Sequence, residues 1–306
     1  MCQHLHVAEL VGIFVDVLAP VFGVAAAGFF AARRWKLDHR PLGTIAYWLL
    51  APAFIYRLLS NPAAWNGPVG SMLASSFTTV LVIWVGVRLI LRSRSGERKT
   101  LDAMVMTFGN VGNLGFPIVL FSLGEDALAP AAIHFLAVTI GVFILGVSSA
   151  SRLRSGHIGR AFVRVVSTPA IAVVPLALLV GRTETQIPQA LERFVGLLAD
   201  AMIPVMLLTL GMQLASSRIS SGVGRLTMVS VGKLVVAPLI YLVIAGWFGL
   251  TGVPHDSGLL LAAMPTAVLV GLISVEFDLE TEFASAAILL TSVVSMVTLG
   301  VIIRAL

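Results

Sequence analysis

What this chain lacks first is charge. Asp, Glu, Lys and Arg make up 11% of its 306 residues, under half of the ~25% usual in a soluble domain. Hydrophobic residues make up 58%, and the mean hydropathy is +0.99. A water-soluble fold is excluded on that ground. Cysteine is all but missing: Cys2, next to the start, is the single one. It supports neither a disulfide framework nor a thiolate metal site. Asp, Glu and His are scattered. There is no His-Glu zinc spacing, no nucleotide-binding glycine loop and no nucleophile elbow. These gaps argue against an intramembrane enzyme, against ATP drive, and against a bound cofactor or metal. Long polar linkers are missing too, so the chain reads as an integral protein of the lipid bilayer.

A membrane-crossing helix needs about 20 apolar residues. The hydrophobic pattern then predicts ten spans, over residues 7–32, 42–59, 69–91, 101–123, 127–149, 161–180, 188–215, 224–250, 257–275 and 281–303. The first is too long for a signal-peptide core and lacks a basic start, so it is read as a span. The net charge of +5 and pI near 10.0 do not indicate nucleic acid, because the basic residues fall in alternate short loops. Loop 1–2 holds Arg33, Arg34, Lys36 and Arg40; loop 3–4 holds Arg92, Arg94, Arg98 and Lys99. Loop 5–6 holds Arg152, Arg154, Arg160 and Arg164; loop 7–8 holds Arg218 and Arg225. The positive-inside rule puts these loops in the cytoplasm and both termini outside. Loop 9–10, with Glu276, Asp278, Glu280 and Glu282, joins them despite its acidity, since acidic residues count little in the rule.

Span 4 contains Thr107-Phe-Gly-Asn-Val-Gly-Asn-Leu-Gly-Phe-Pro117. Gly costs roughly 1 kcal/mol and Pro roughly 3 kcal/mol inside a helix, so this stretch predicts a broken helix at mid-membrane. Irregular backbone survives there only inside protein or beside a wet cavity, and broken helices mark the sites of secondary transporters. A shift of about 155 lays Ala131-Ala-Ile133 onto Ala286-Ala-Ile288 and Asn110 onto Pro265. Pro52 matches Pro204 at a similar offset. The expectation is an all-α membrane protein of two inverted five-helix repeats, residues 1–150 and 151–306, with spans 4 and 9 both broken. The second halves of the broken spans would offer free amides and positive helix ends to an anion.

Candidate substrate-binding residues are Asn110, Gly112, Asn113 and Pro117 in span 4, Pro265 and Thr266 in span 9, and Lys233 in span 8. A Lys near the bilayer centre costs ~3 kcal/mol or more and usually faces the bundle interior; the alternative is that it snorkels to the interface. Asp200 and Asp16 are candidate proton-coupling carboxylates, or else interfacial acids. Thr209 bonds its own helix on the plainest reading, and His134 is a packed or lipid-adjacent residue. Gly23 and Gly28 suggest close helix packing. Trp35, Trp48, Trp65 and Trp247 fall near span ends, as in an aromatic belt.

Phe108-x-Asn110-x-Gly112-x-x-Gly115-x-Pro117, followed by Leu120-Phe-Ser-Leu-Gly124, resembles the span-4 signature of the auxin efflux carrier family. Ile203-Pro204-Val-Met-Leu-Leu-Thr-Leu-Gly211 resembles its span-7 motif. Lys233 with Pro238, Ala263-Met-Pro265, and Phe277-Asp278 with Ala284-Ser285 continue the likeness in order. The resemblance implies the fold shared with bile-acid, arsenite and riboflavin transporters, with crossover helices 4 and 9. It implies secondary transport of small organic anions such as malate or malonate, with the site near Asn110 and Pro265. Two departures stand out: Asn113 replaces an expected bulky apolar residue, and Thr266 rather than Asn follows Pro265. Protons and a second copy of the chain are candidate partners. The alternatives are a sodium-coupled symporter of the bile-acid type, and a receptor that binds a small anion without moving it.

Overall fold

The computed structural model describes residues 12–154, 167–183, 187–215 and 222–306. Cys2, Arg160, Arg164 and Arg218, with the predicted starts of spans 1 and 6, lie outside the described residues. Among the described residues, seven helices are long and apolar enough to cross a membrane: α1 (Phe14–Trp35), α2 (Arg40–Leu59), α3 (Val69–Ile90), α5 (Glu125–Leu153), α7 (Gln189–Ala215), α8 (Val223–Trp247) and α10 (Thr281–Ala305). Between them come the short α6 (Pro169–Thr183) and two interrupted helices. These are α4, in the pieces α4a (Gly96–Thr107) and α4b (Val111–Leu123), and α9, in the pieces α9a (Gly252–Ala263) and α9b (Val268–Glu276). The protein is an all-α membrane protein.

Proline shapes four of the helices in the same way. Pro20, Pro52, Pro117 and Pro238 each stand at the start of an α-helical segment preceded by a widened π-type turn. Those turns are Phe14–Leu18, Ala46–Leu50, Val111–Gly115 and Gly232–Val236. Proline has no amide hydrogen and its ring crowds the carbonyl four residues back. Widening the turn ahead of it relieves that crowding while the helix continues.

The helices pack as two bodies. One is α1, α2, α6 and α7; the other is α3, α4, α5, α8, α9 and α10. Each body takes helices from both halves of the chain. The tightest approach is between α1 and α7. A Cβ on Gly28 would lie 2.3 Å from the Leu208 carbonyl oxygen, and one on Gly211 would lie 1.7 Å from that of Ala25. In lipid, where apolar burial drives helices together only weakly, such backbone contact is what small residues provide. Gly23 plays no such part, for its Cβ position has nothing within 4 Å.

The interrupted helices cross. α4b and α9a share one apolar cluster, with Leu114, Ile118, Leu260 and Met264. α4a and α9b share the other, with Met104, Phe108, Val270 and Ile273. The first turns of α4a form a charged end. Asp102, its side chain 0% exposed, accepts from Arg94 and, at 2.8 Å, from Arg225 Nε. Glu280 accepts from Arg225 at 2.6 Å and from Arg98 at 3.1 Å. Arg225 also lies 3.7 Å over the centroid of the Phe283 ring. Loops 3–4, 7–8 and 9–10 therefore meet at one end, and an acid of loop 9–10 pairs with the basic residues of the other two.

Candidate functional site

The backbone leaves the helix where the sequence weakens it. Phe108 is extended (φ −94°, ψ 112°) and Asn110 is non-helical (φ −77°, ψ 57°). In α9, Met264 takes φ −59° and ψ 144° because a residue before proline is pushed out of the helical region. The two breaks then satisfy each other around a Gly109–Thr266 bridge. Asn110 N donates to the Pro265 carbonyl at 2.7 Å, and Ala267 N donates to the Phe108 carbonyl at 2.9 Å. Thr266 is committed on both its groups: its amide donates to Thr291 Oγ1 at 3.1 Å and its hydroxyl donates to the Val105 carbonyl at 3.0 Å. Three amides at the break are thereby engaged. Unpaired peptide groups are too costly away from water, and the amides of Asn110, Thr266 and Ala267 are turned on the protein itself.

The free positive charge at the crossing is a side chain. Lys233 lies on the π-type turn Gly232–Val236 and is 1% exposed. Gly232 lets α8 approach α4a, since a Cβ there would meet Met106 Cε at 2.0 Å. Lys233 Nζ donates to the Ala262 carbonyl at 2.9 Å, in the last turn of α9a, whose dipole end is negative. It also stands 3.2 Å from where a Cβ of Gly109 would be, so glycine is what admits the ammonium between the breaks. The side chain does not snorkel. Among the described residues no carboxylate pairs with it.

A cavity of about 30 Å³ opens at this point, lined by Lys233, Gly109, Thr107, Ser76, Thr79, His134 and Tyr241. It has room for a water or two and not for a dicarboxylate. Thr107 Oγ1 is buried there with no hydrogen-bond partner, and Asn110 Nδ2, 5% exposed as a residue, is likewise unpaired. Buried polar atoms without partners are uncommon and call for an explanation.

The other sequence candidates lie elsewhere. Gly112 faces α5 and α7, its Cβ position 3.4 Å from Phe135 Cε2 and 3.6 Å from Met206 Cε. Asn113 is half-buried beside it, and Pro117 and Pro265 are buried. Asp200 is exposed and paired with Arg57 of α2, and Asp16 is exposed on the first turn of α1. Thr209 bonds the Val205 carbonyl of its own helix at 2.7 Å. Sequence reasoning passed over Thr107, Ser76 and Tyr241, whose types are ordinary in spans. His134 carried a signal, an ionisable group at mid-span. It is packed, as read, but it packs against the cavity.

Residues 159–303 match the family described as "Membrane transport protein". A protein of Rhizobium meliloti named "Putative malonate transporter" is 25% identical over 95% of this chain and 94% of its own. An uncharacterized transporter of Methanocaldococcus jannaschii is 21% identical over 94% of this chain and 96% of its own. A protein of Methanothermobacter thermautotrophicus named "Uncharacterized transporter" is 24% identical over 76% of this chain and 75% of its own.

Proposed function

We propose that the chain is a membrane transport protein of the auxin efflux carrier family and that it carries small mono- or dicarboxylates by alternating access. The substrate would sit at the crossing of α4 and α9, with Lys233 as its charge partner. The observation that carries this reading is the Lys233 ammonium, buried at the crossing with a lone carbonyl as its recorded partner. Burying an unpaired charge is expensive, and a carboxylate arriving beside it offsets that cost. The orphan Thr107 hydroxyl, which lines the cavity, supplies a donor for the same group, and the orphan Asn110 amide lies on the α4 break outside the cavity lining.

The packing supports a moving part. The six-helix body carries both breaks, and it meets the four-helix body where α4b faces α7 and α5 faces α2. The cavity is lined by the six-helix body alone, so rocking or sliding at that seam would carry the crossing past the four-helix body and expose it to one side and then the other. Each body uses corresponding helices from both halves, 1 and 2 with 6 and 7, as two intertwined inverted repeats would. The end of α10 lies near His255, opposite the cluster of Arg94, Arg98 and Arg225. That arrangement favours basic loops in the cytoplasm of a bacterial cell and both termini outside. The sodium-coupled alternative lacks an anionic oxygen at the crossing, because no described carboxylate lines the cavity.

The test is exchange of labelled malonate, the substrate named for one relative, in sodium-free proteoliposomes. The wild type exchanges, and Lys233→Met loses about 100-fold in rate, the scale of removing one buried charge partner. Undiminished exchange by Lys233→Met would remove the site assignment.

A further inference from the structure

A dicarboxylate such as malonate brings two negative charges. Lys233 neutralises one. Three ionisable side chains line the cavity, Lys233, Tyr241 and His134, and of the other two only His134 can become a cation. Its surroundings are arranged for that change. Nε2 lies 3.0 Å from the Pro254 carbonyl, which can only accept, so Nε2 carries the hydrogen. In the neutral ring Nδ1 is then an acceptor, and it accepts from the Ser76 hydroxyl. A hydroxyl both donates and accepts. A proton added at Nδ1 is therefore received with Ser76 reversing its role, and no hydrogen bond to the ring is lost.

Other ionisable groups pack in a row beside His134, in ring contact and not as a continuous hydrogen-bond chain, since Tyr241 Oη has no hydrogen-bond partner. Tyr241 of α8 lies 5.9 Å away, ring to ring, and 6.2 Å from the ring of His255 on α9a. His255 Nδ1 is 2.8 Å from Asp256 Oδ1, and both side chains are about a quarter exposed (22% and 25%). The row Asp256, His255, Tyr241, His134 thus runs from the partly exposed start of α9a to the cavity. From the other elements packed on α5, α3 presents the hydroxyls of Ser76 and Thr79, α4b has no ionisable residue, and Arg57 of α2 is turned to Asp200. Glu125 and Asp126, at the start of α5, are exposed. Protonation works against the burial of the ring and against the neighbouring His255, and an anion held at the crossing offsets that cost. By linkage, the proton in turn favours the anion.

We propose that His134 is the proton-binding residue of this carrier, taking up one proton with each dicarboxylate held at the crossing. The proposal rests on the anion-carrier reading above. The malonate dianion, the Lys233 ammonium and the imidazolium together leave the crossing neutral.

The experiment separates exchange from drive. Proteoliposomes with a trapped pH dye are given labelled malonate, first without and then with a pH gradient. Wild type exchanges malonate, accumulates it when the outside is acidic, and moves protons with it. In His134→Gln, which keeps hydrogen-bonding capacity but cannot titrate, exchange is slowed and persists, while accumulation and the dye signal are lost. Should His134→Gln not fold, Ser76→Ala reads the same chemistry. It removes the acceptor for protonated Nδ1, and the pH midpoint of accumulation moves to lower pH by about one unit. Proton-driven accumulation by His134→Gln, or an unmoved midpoint in Ser76→Ala, overturns the proposal alone. Absence of malonate exchange in the wild type overturns the carrier reading and this proposal with it.

Discussion

Arg225 and Lys233 stand eight residues apart on α8, about 12 Å along its axis. Both are largely withdrawn from solvent, Arg225 at 15% side-chain exposure and Lys233 at 1% as a residue. Arg225 is fully engaged in charge terms, held by Asp102, Glu280 and the face of Phe283. Lys233 has one recorded hydrogen bond, to a neutral carbonyl. The contrast separates two uses of buried charge. Where the opposite charge is built in, the pair ties loops and helix ends into one arrangement. Where it is left out, as at Lys233, the proposed carrier would keep an affinity for whatever brings it.

The largest effect expected from that contrast is on stability at the Arg225 end. Asp102→Ala leaves Arg94 and Arg225 without their buried carboxylate. Breaking such a cluster costs about 3–5 kcal/mol, so the melting temperature in detergent falls markedly. Lys233→Met should do the reverse. It replaces an unpaired buried ammonium by an apolar chain of similar length, so the melting temperature holds or rises while malonate exchange falls by the ~100-fold given above. A stabilising Asp102→Ala together with a destabilising Lys233→Met would dissolve the distinction.

What could be read from the sequence follows the range of the forces involved. The break in α4 is local chemistry, three glycines and a proline within nine residues, and it falls as expected. The limits of α7 and α10 are local as well, and Gln189–Ala215 and Thr281–Ala305 lie within two residues of the predicted spans. The fate of the broken backbone was not legible. Thr266 is tied to Val105, 161 residues away, and to Thr291, 25 residues away, and no spacing encodes such partners. Lys233 stood out as a mid-span cation. Whether it snorkels is decided by Gly232 and Gly109, whose missing side chains let α8 and the α4 break close on it. Asp102 gave no warning, because an acid in the first turns of a helix that begins at a basic loop looks interfacial. Its burial comes from Arg225 on another helix.

A smaller effect sharpens the view of how Lys233 is admitted to the crossing. Gly109→Ala puts a methyl group 3.2 Å from Nζ and 3.3 Å from the Leu261 carbonyl oxygen. Both contacts are tight without being prohibitive, and the ammonium is the end of a flexible chain. The protein should fold with little loss of stability. Displacing a binding group by a fraction of an ångström weakens anion contact, and an exchange rate lower by about 10-fold is expected. Comparing Gly109→Ala with Lys233→Met in the same liposomes shows whether the position of the charge matters as well as its presence.

The smallest effect is expected at Asp200, a carboxylate that sequence alone makes as plausible a coupling site as any. Its partner Arg57 is at hand, but both side chains are mostly open, at 67% and 49% exposure. Exposed pairs contribute about 0–1 kcal/mol. Asp200 lies on the four-helix body, is absent from the cavity lining, and has no recorded link to Lys233. Asp200→Asn should therefore shift the melting temperature barely and leave both malonate exchange and its pH dependence in place. If Asp200→Asn instead abolishes proton-driven accumulation while exchange continues, the coupling charge lies on the body that α4b slides against. The difference between paired and unpaired charges on α8 would then describe binding of the anion, and not its drive.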